Sequence, residues 1–187
     1  VFTSEDVYLG ITTDNNVLTV QGGGYLSANN GFYVSSISGT GNQITVTGAG
    51  SSLDVGSSFY LGFATGSNTL SVEEGGSLTS YYLYVGGDGD TNSVTVTGAD
   101  SFANISTELF VGNYGADNSV TVSDGALFIS KKTTVGTYTA ANGNSVTVTG
   151  AGTNYINRGD FTVGYRGDSN DVSVLDGAYL STRNLTL

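Results

Sequence analysis

The chain has 187 residues, a length that one domain can fill and that can bury a core without disulfides or a structural metal. It contains no Cys, His, Met, Trp or Pro, which excludes thiolate and imidazole metal sites and the nucleophilic systems built on Cys or His. The formal net charge of −11 predicts no nucleic-acid partner and no membrane insertion by this chain, because nucleic acids and anionic lipids are bound mainly through Lys and Arg.

One pentapeptide recurs seven times: Asn, any residue, an aliphatic residue, Thr or Ser, and Val. Successive copies are 26 residues apart, with one interval of 24, and they begin at Asn16, Asn42, Asn68, Asn92, Asn118, Asn144 and Asn170. Apolar and polar residues alternate within each copy, which indicates a β-strand. Each Asn falls on the inward side at a corner, where stacked amides can hydrogen-bond along the axis. We therefore expect a structural asparagine ladder.

A strand of this length cannot bury its apolar face alone. Stacking the copies about 4.8 Å apart pairs each strand in parallel with the next and turns every aliphatic residue inward. The repeat therefore predicts an all-β, single-domain parallel β-helix (β-solenoid) over residues 1–187, with seven coils of about 26 residues and three short strands per coil.

The other two stretches of each coil follow a Gly-rich corner. The first is expected to point these residues inward: Leu26, Leu53, Leu78, Phe102, Phe128, Tyr155 and Leu180. The second ends before a small residue, usually Gly, and its middle residue is expected to point outward. In five successive coils that residue is aromatic, and in the last three it is Thr: Tyr8, Tyr33, Tyr60, Tyr84, Phe110, Thr134, Thr162 and Thr186.

These five aromatic residues, called here the aromatic row, have two interpretations. Stacked rings reinforce a sheet by roughly 0.2 to 1 kcal/mol per pair. A contiguous apolar stripe is also typical of a contact surface for lateral association or for stacking on sugars. The sequence leaves both interpretations open.

Carboxylates are densest at one predicted corner, where Asp88 and Asp90 come next to Asp117 of the following coil. A solvated turn is the simplest interpretation, and a Ca²⁺ site is the weaker alternative; no other cofactor is expected. An enzyme acting on polysaccharide would need a groove with convergent carboxylates and cations, and no Lys or Arg occurs before Lys131. We therefore expect no enzymatic activity.

Two further patterns suggest remote functions. Paired outward Thr residues, such as Thr95 with Thr97, resemble the ice-binding face of some antifreeze solenoids, although Gln21, Glu73 and Leu175 interrupt the rows. The tripeptide Arg-Gly-Asp occurs twice, beginning at Arg158 and at Arg166, and it arises easily in a chain rich in Gly and Asp.

Charge is distributed unevenly along the predicted axis. Residues 1–130 carry twelve acidic residues and no cation, whereas the remaining residues carry all five cations and four acidic residues. Such a polar rod is expected to stack head to tail, and alignment of the terminal coils brings Arg183 to the coil position of Glu5. The chain offers eight copies of the other two stretches but seven Asn strands. A junction therefore displaces a terminal strand, or a longer repeat array supplies the missing strand.

The unit Asn-x-Val-Thr-Val-Thr-Gly-Ala-Gly-Ser, followed by Leu-Tyr-Val-Gly, resembles the repeat of autotransporter passenger domains and of exosortase-sorted (PEP-CTERM) exported proteins. The resemblance covers essentially the whole chain and implies a right-handed β-helix outside the bacterial cell, with no catalytic residue to carry over. The expected function is a non-enzymatic structural protein in a surface fibre, stalk or layer, whose partner is itself or a cell-surface or matrix polymer. The alternative is an adhesin segment that binds a carbohydrate or a host ligand.

Overall fold

The computed structural model describes residues 1–187 as a stack of about seven coils built entirely from strands, which confirms the predicted β-solenoid. No helix forms, so none spans a membrane. The nineteen strands are β1 (Phe2–Ser4), β2 (Val7–Leu9), β3 (Val17–Gln21), β4 (Tyr25–Ala28), β5 (Phe32–Val34), β6 (Gln43–Thr47), β7 (Ser52–Leu61), β8 (Thr69–Glu73), β9 (Ser77–Val85), β10 (Ser93–Thr97), β11 (Phe102–Val111), β12 (Ser119–Ser123), β13 (Leu127–Val135), β14 (Ser145–Thr149), β15 (Asn154–Asn157), β16 (Asp160–Val163), β17 (Asp171–Leu175), β18 (Tyr179–Ser181) and β19 (Asn184–Thr186).

Two parallel sheets enclose the core. The asparagine sheet contains the seven strands that follow the Asn residues, in the order β17-β14-β12-β10-β8-β6-β3. Its register places equivalent residues side by side, as where Val120 pairs with Val94 on one side and with Val146 on the other. The bent sheet contains the other twelve strands, with eight positions along the axis.

The bent sheet differs from the prediction of three short strands per coil. In the four central coils the two predicted stretches join into one strand of nine or ten residues, namely β7, β9, β11 and β13. Each bends without losing its partners, and the register shifts between Val55 and Ser58 and between Ile105 and Glu108. Separate strands remain in the coils nearer the ends, two of which have Gly31 or Gly159 at the bend.

Aliphatic and aromatic side chains from both sheets form one core of 32 buried residues. The predicted inward positions of Leu53, Leu78 and Phe128 are buried. Phe102 was predicted to point inward, but this is wrong: Ala103 pairs with Leu78 and Phe128 and is fully buried, while Phe102 is half-buried on the outer face. Strand alternation is fixed by the corner, not by residue size.

Candidate interaction surfaces

The asparagine ladder forms along the whole stack. The Oδ1 atom of Asn118 accepts hydrogen bonds from the backbone N–H of Asn92 at 2.8 Å and from its Nδ2 at 2.9 Å. Asn118 donates in the same way to Oδ1 of Asn144, at 2.8 and 3.1 Å. Asn residues 42 to 144 of the ladder are fully buried. Their amides therefore satisfy the corner backbone, which is a structural role.

The small residue that ends the bent-sheet stretch makes room for this ladder. Gly112 has a φ of 70°, and a Cβ there would overlap the side-chain amide of Asn144. One coil uses Ser35 instead, whose hydroxyl donates to Oδ1 of Asn68 at 2.8 Å and accepts from Nδ2 of Asn42 at 3.0 Å. The recurring small residue is thus explained by the asparagine of the next coil.

The aromatic row is a continuous stack of rings. Ring centroids of Tyr8 and Tyr33 are 5.1 Å apart, those of Tyr33 and Tyr60 5.5 Å, and those of Tyr60 and Tyr84 4.4 Å. Phe110 continues the stack at 4.7 Å from Tyr84. The interplanar angles lie between 4° and 15°. The row therefore presents ring edges and hydroxyls along one side of the solenoid.

The row is less open than the sequence indicated. Tyr8 is 52% exposed, whereas the other four members are half-buried. Phe63 packs edge-on against Tyr33 and Tyr60, with centroids 5.7 and 5.0 Å away. Burial, followed by the neighbouring Tyr60, raises the pKa of Tyr84 to about 12, so its hydroxyl stays protonated over the physiological range.

A second aromatic stack lies on the corner loops, where Tyr114 and Tyr138 face each other at 4.2 Å and 4°. The sequence analysis missed it. Both residues stand two places after the corner Gly, at Gly112 and Gly136, so the same repeat position would have revealed the pair.

The acidic corner does not form a cation cage. Oδ1 of Asp90 accepts the backbone N–H of Ala116 at 2.7 Å, and Asp14 does the same for Thr40 at 2.8 Å. Asp88 and Asp117 are exposed, and no group of three or more carboxylates in the chain is placed to hold a metal ion. The carboxylate of Asp90 thus connects successive coils.

The outward Thr rows are engaged within the protein. Thr97 donates to Oδ2 of Asp124 at 2.8 Å, and Thr149 donates to Oδ2 of Asp176 at 2.9 Å. Glu73 lies beside Thr47 and Thr97 in the sheet register. The face is therefore a mixed row of hydroxyls and carboxylates.

A groove runs along the outer side of the bend in the bent sheet, and we call it the bend groove. Its first part has a volume of about 340 Å³ and includes Tyr25, Asp54 and Tyr81. Its second part has a volume of about 580 Å³. Ser106 lines both parts, so they are continuous.

The second part of the bend groove brings together four of the five cations of the chain: Lys131, Lys132, Arg158 and Arg183. The sequence analysis did not place these cations in one groove. Their spacings along the chain are not multiples of 26 residues, because the bend changes the register locally. Only the three-dimensional stack aligns them.

Both ends of the solenoid are open. Val174 and Leu185 are 45% and 49% exposed at one end, and Val17 is 65% exposed at the other. The buried Nδ2 atom of Asn170 has no acceptor. Glu5 and Arg183 are both exposed, at equivalent coil positions at opposite ends, and Oε2 of Glu5 accepts a hydrogen bond from Asn30 at 3.1 Å.

No family model, curated protein or solved structure matches the chain. The resemblance to autotransporter passenger domains and exosortase-sorted proteins thus stays an expectation from the repeat.

Proposed function

We propose that this chain is a non-enzymatic structural rod, a subunit or segment of a bacterial surface fibre, stalk or layer, which stacks end to end with further copies of itself. The observation that carries the proposal is the pair of open ends. Both sheets stop with unpaired strand edges over exposed apolar side chains such as Val17 and Leu185. Exposed edges of this kind pair readily with another chain.

The interior supports a mechanical role. Each coil is tied to the next by strand pairing in both sheets and by the asparagine ladder. In solenoids stability comes largely from such contacts between neighbouring repeats. The Thr-, Ser-, Gly- and Asn-rich, Lys-poor composition supports an extracellular setting.

The bent sheets of two copies can join so that β19 of one copy meets β2 of the next. Arg183 then lies beside Glu5 of the neighbouring copy, while one position of the asparagine sheet stays open. Exposed ion pairs contribute little affinity but help to select register. In the alternative junction β1 and β2 are displaced, and Asn170 donates to Asn16 of the next copy.

Sedimentation velocity and electron microscopy of the purified chain test the proposal. We expect concentration-dependent rods that lengthen along the axis, that are weakened by Arg183→Glu and that are partly restored by adding Glu5→Arg. If Asn170→Ala weakens the rods and Arg183→Glu does not, the displaced junction is the correct one. A chain that stays monomeric at high concentration would refute the proposal.

The aromatic row provides a second contact surface, for lateral association of such rods. Changing Tyr33, Tyr60 and Tyr84 together to Thr should leave the solenoid folded, because Thr fills this position in the last three coils. We expect end-to-end rods to persist while their lateral bundling is lost. If bundling is unchanged, the row only reinforces the sheet.

A further inference from the structure

We propose that the bend groove binds an anionic polysaccharide that lies along the solenoid axis. In this arrangement acidic groups of the sugars meet Lys131, Arg158 and Arg183, and the sugar rings approach the tyrosines of the first part of the groove. This inference goes beyond the proposed structural role and uses a different surface.

The shape of the groove suits an elongated ligand. It follows the bend from Tyr25 in the first part to Arg183 in the last coil, and its two parts meet at Ser106. Gly159 keeps the floor low, because a Cβ there would press on the backbone carbonyl of Lys131. The groove is therefore a channel parallel to the axis and not an isolated pocket.

The charge of the groove opposes that of the chain. Its second part holds four cations and the carboxylates of Glu108 and Asp160, a net charge of +2, in a chain with a net charge of −11. An acidic ligand is repelled elsewhere on the surface and is attracted here. The local charge can thus select both the ligand and its position.

Three of the four cations are free to bind. Lys132 forms an ion pair with Glu108 at 2.9 Å, and this is the one salt bridge of the protein. Lys131, Arg158 and Arg183 are exposed and lie on three successive coils, since the backbone N–H of Arg158 bonds Ser130 and that of Arg183 bonds Gly159. Successive coils are about 4.8 Å apart, so these cations form a row along the axis.

The remaining lining favours a carbohydrate over an acidic polypeptide. Hydroxyl and amide groups of Ser106, Thr107 and Asn104 line the floor and can exchange hydrogen bonds with sugar hydroxyls. Tyr81 is 56% exposed at the edge of the groove and offers a ring on which a sugar can stack. An acidic polypeptide would use the cations but not these groups.

Isothermal titration calorimetry with short oligogalacturonate tests the inference, and fully methyl-esterified oligogalacturonate serves as the uncharged probe of the same sugar. We expect binding of the acid form that weakens steeply as salt is raised, and little binding of the ester. Arg158→Gln should weaken binding about threefold, as expected for one exposed ion pair. Adding Lys131→Gln should weaken it to about tenfold.

Arg166→Gln is the matched control. It makes the same substitution and the same change in net charge, but Arg166 lies outside the groove, with its guanidinium carbon 5.8 Å from the Tyr165 ring centroid. We expect it to bind the acid probe as the unaltered chain does. All three variants change exposed side chains, so thermal unfolding should stay unchanged and report folding independently.

Several outcomes would overturn the inference. These are no binding of the acid probe at low salt, equal losses from Arg158→Gln and Arg166→Gln, or equally tight binding of the methyl ester. If poly-L-glutamate binds as tightly as oligogalacturonate, the groove takes an acidic polypeptide, such as the acidic coils of a second copy. Because Lys131 and Arg158 are away from the end contacts, failure here is distinguishable from failure of end-to-end stacking.

Discussion

Replacing Asn118 by Ala tests whether the asparagine ladder holds the coils together. The change removes the acceptor of the Asn92 backbone N–H, which has no other partner and is buried. Other groups keep partners: Nδ2 of Asn92 still donates to Gly89 at 3.0 Å, and Oδ1 of Asn144 still accepts the backbone N–H of residue 118 at 2.8 Å. One buried donor is therefore left without an acceptor.

A buried unsatisfied donor costs about 1 to 3 kcal/mol, and the space left by the missing amide adds about 1 kcal/mol. We expect Asn118→Ala to lower the free energy of unfolding by about 2 to 4 kcal/mol. For a chain of this length that corresponds to roughly 5 to 15 °C in Tm. Equilibrium urea unfolding followed by circular dichroism and by tyrosine fluorescence measures the change and checks that the two probes agree.

Asn16→Ala provides the control at the first position of the ladder. Asn16 only donates, to Thr13 and to Oδ1 of Asn42, so its loss leaves no buried backbone donor unpaired. We expect a cost below about 1 kcal/mol. Equal costs for Asn16→Ala and Asn118→Ala would refute the ladder as the source of stability, because the substitutions would then act through side-chain size alone.

Three further predictions concern the core. Val120→Asp places a charge at a fully buried position and should prevent folding or cost more than about 4 kcal/mol in urea unfolding, while outward Thr121→Asp should cost below about 1 kcal/mol. Gly112→Ala should cost about 1 to 3 kcal/mol more than Gly22→Ala, since both have positive φ but only Gly112 faces a neighbouring side chain; equal unfolding midpoints would contradict this. Burial raises the pKa of Tyr155 from 10.0 to about 12. Native Tyr155 therefore holds its proton when the unfolded chain has lost it, and stability present below pH 10 falls by about 2 to 3 kcal/mol towards pH 12, a slope that Tyr155→Phe should reduce.

The sequence predicted the parts of the fold that repeat. Seven copies of one pentapeptide carry the same parity, so the inward position of Val120 and the stacking of Asn118 follow from any single coil. The prediction failed for Phe102, where size was weighed above position. In the other coils the inward residue is the fifth after the corner glycine, as Leu53 follows Gly48, and the same count leads to Ala103.

The bend groove could not be predicted from the repeat because it is built from positions that do not repeat. Lys131, Arg158 and Arg183 are separated by 27 and 25 residues, and neither interval equals the coil length. The strands bend at this point, and the local shift of register restores the alignment. A feature that depends on the path of the backbone between repeats has no periodic pattern in the sequence.

The asparagine ladder also gives the solenoid a direction. Each Nδ2 in the ladder donates towards the next coil, so Asn170 presents a donor at one end and Asn16 presents an acceptor at the other. Two copies cannot satisfy these groups face to face, because like ends would bring donor to donor or acceptor to acceptor. A contact between unlike ends is heterologous, and when no rotation closes it into a ring it continues as an open filament. Any assembly that uses these ends is therefore expected to be polar, with every copy pointing the same way.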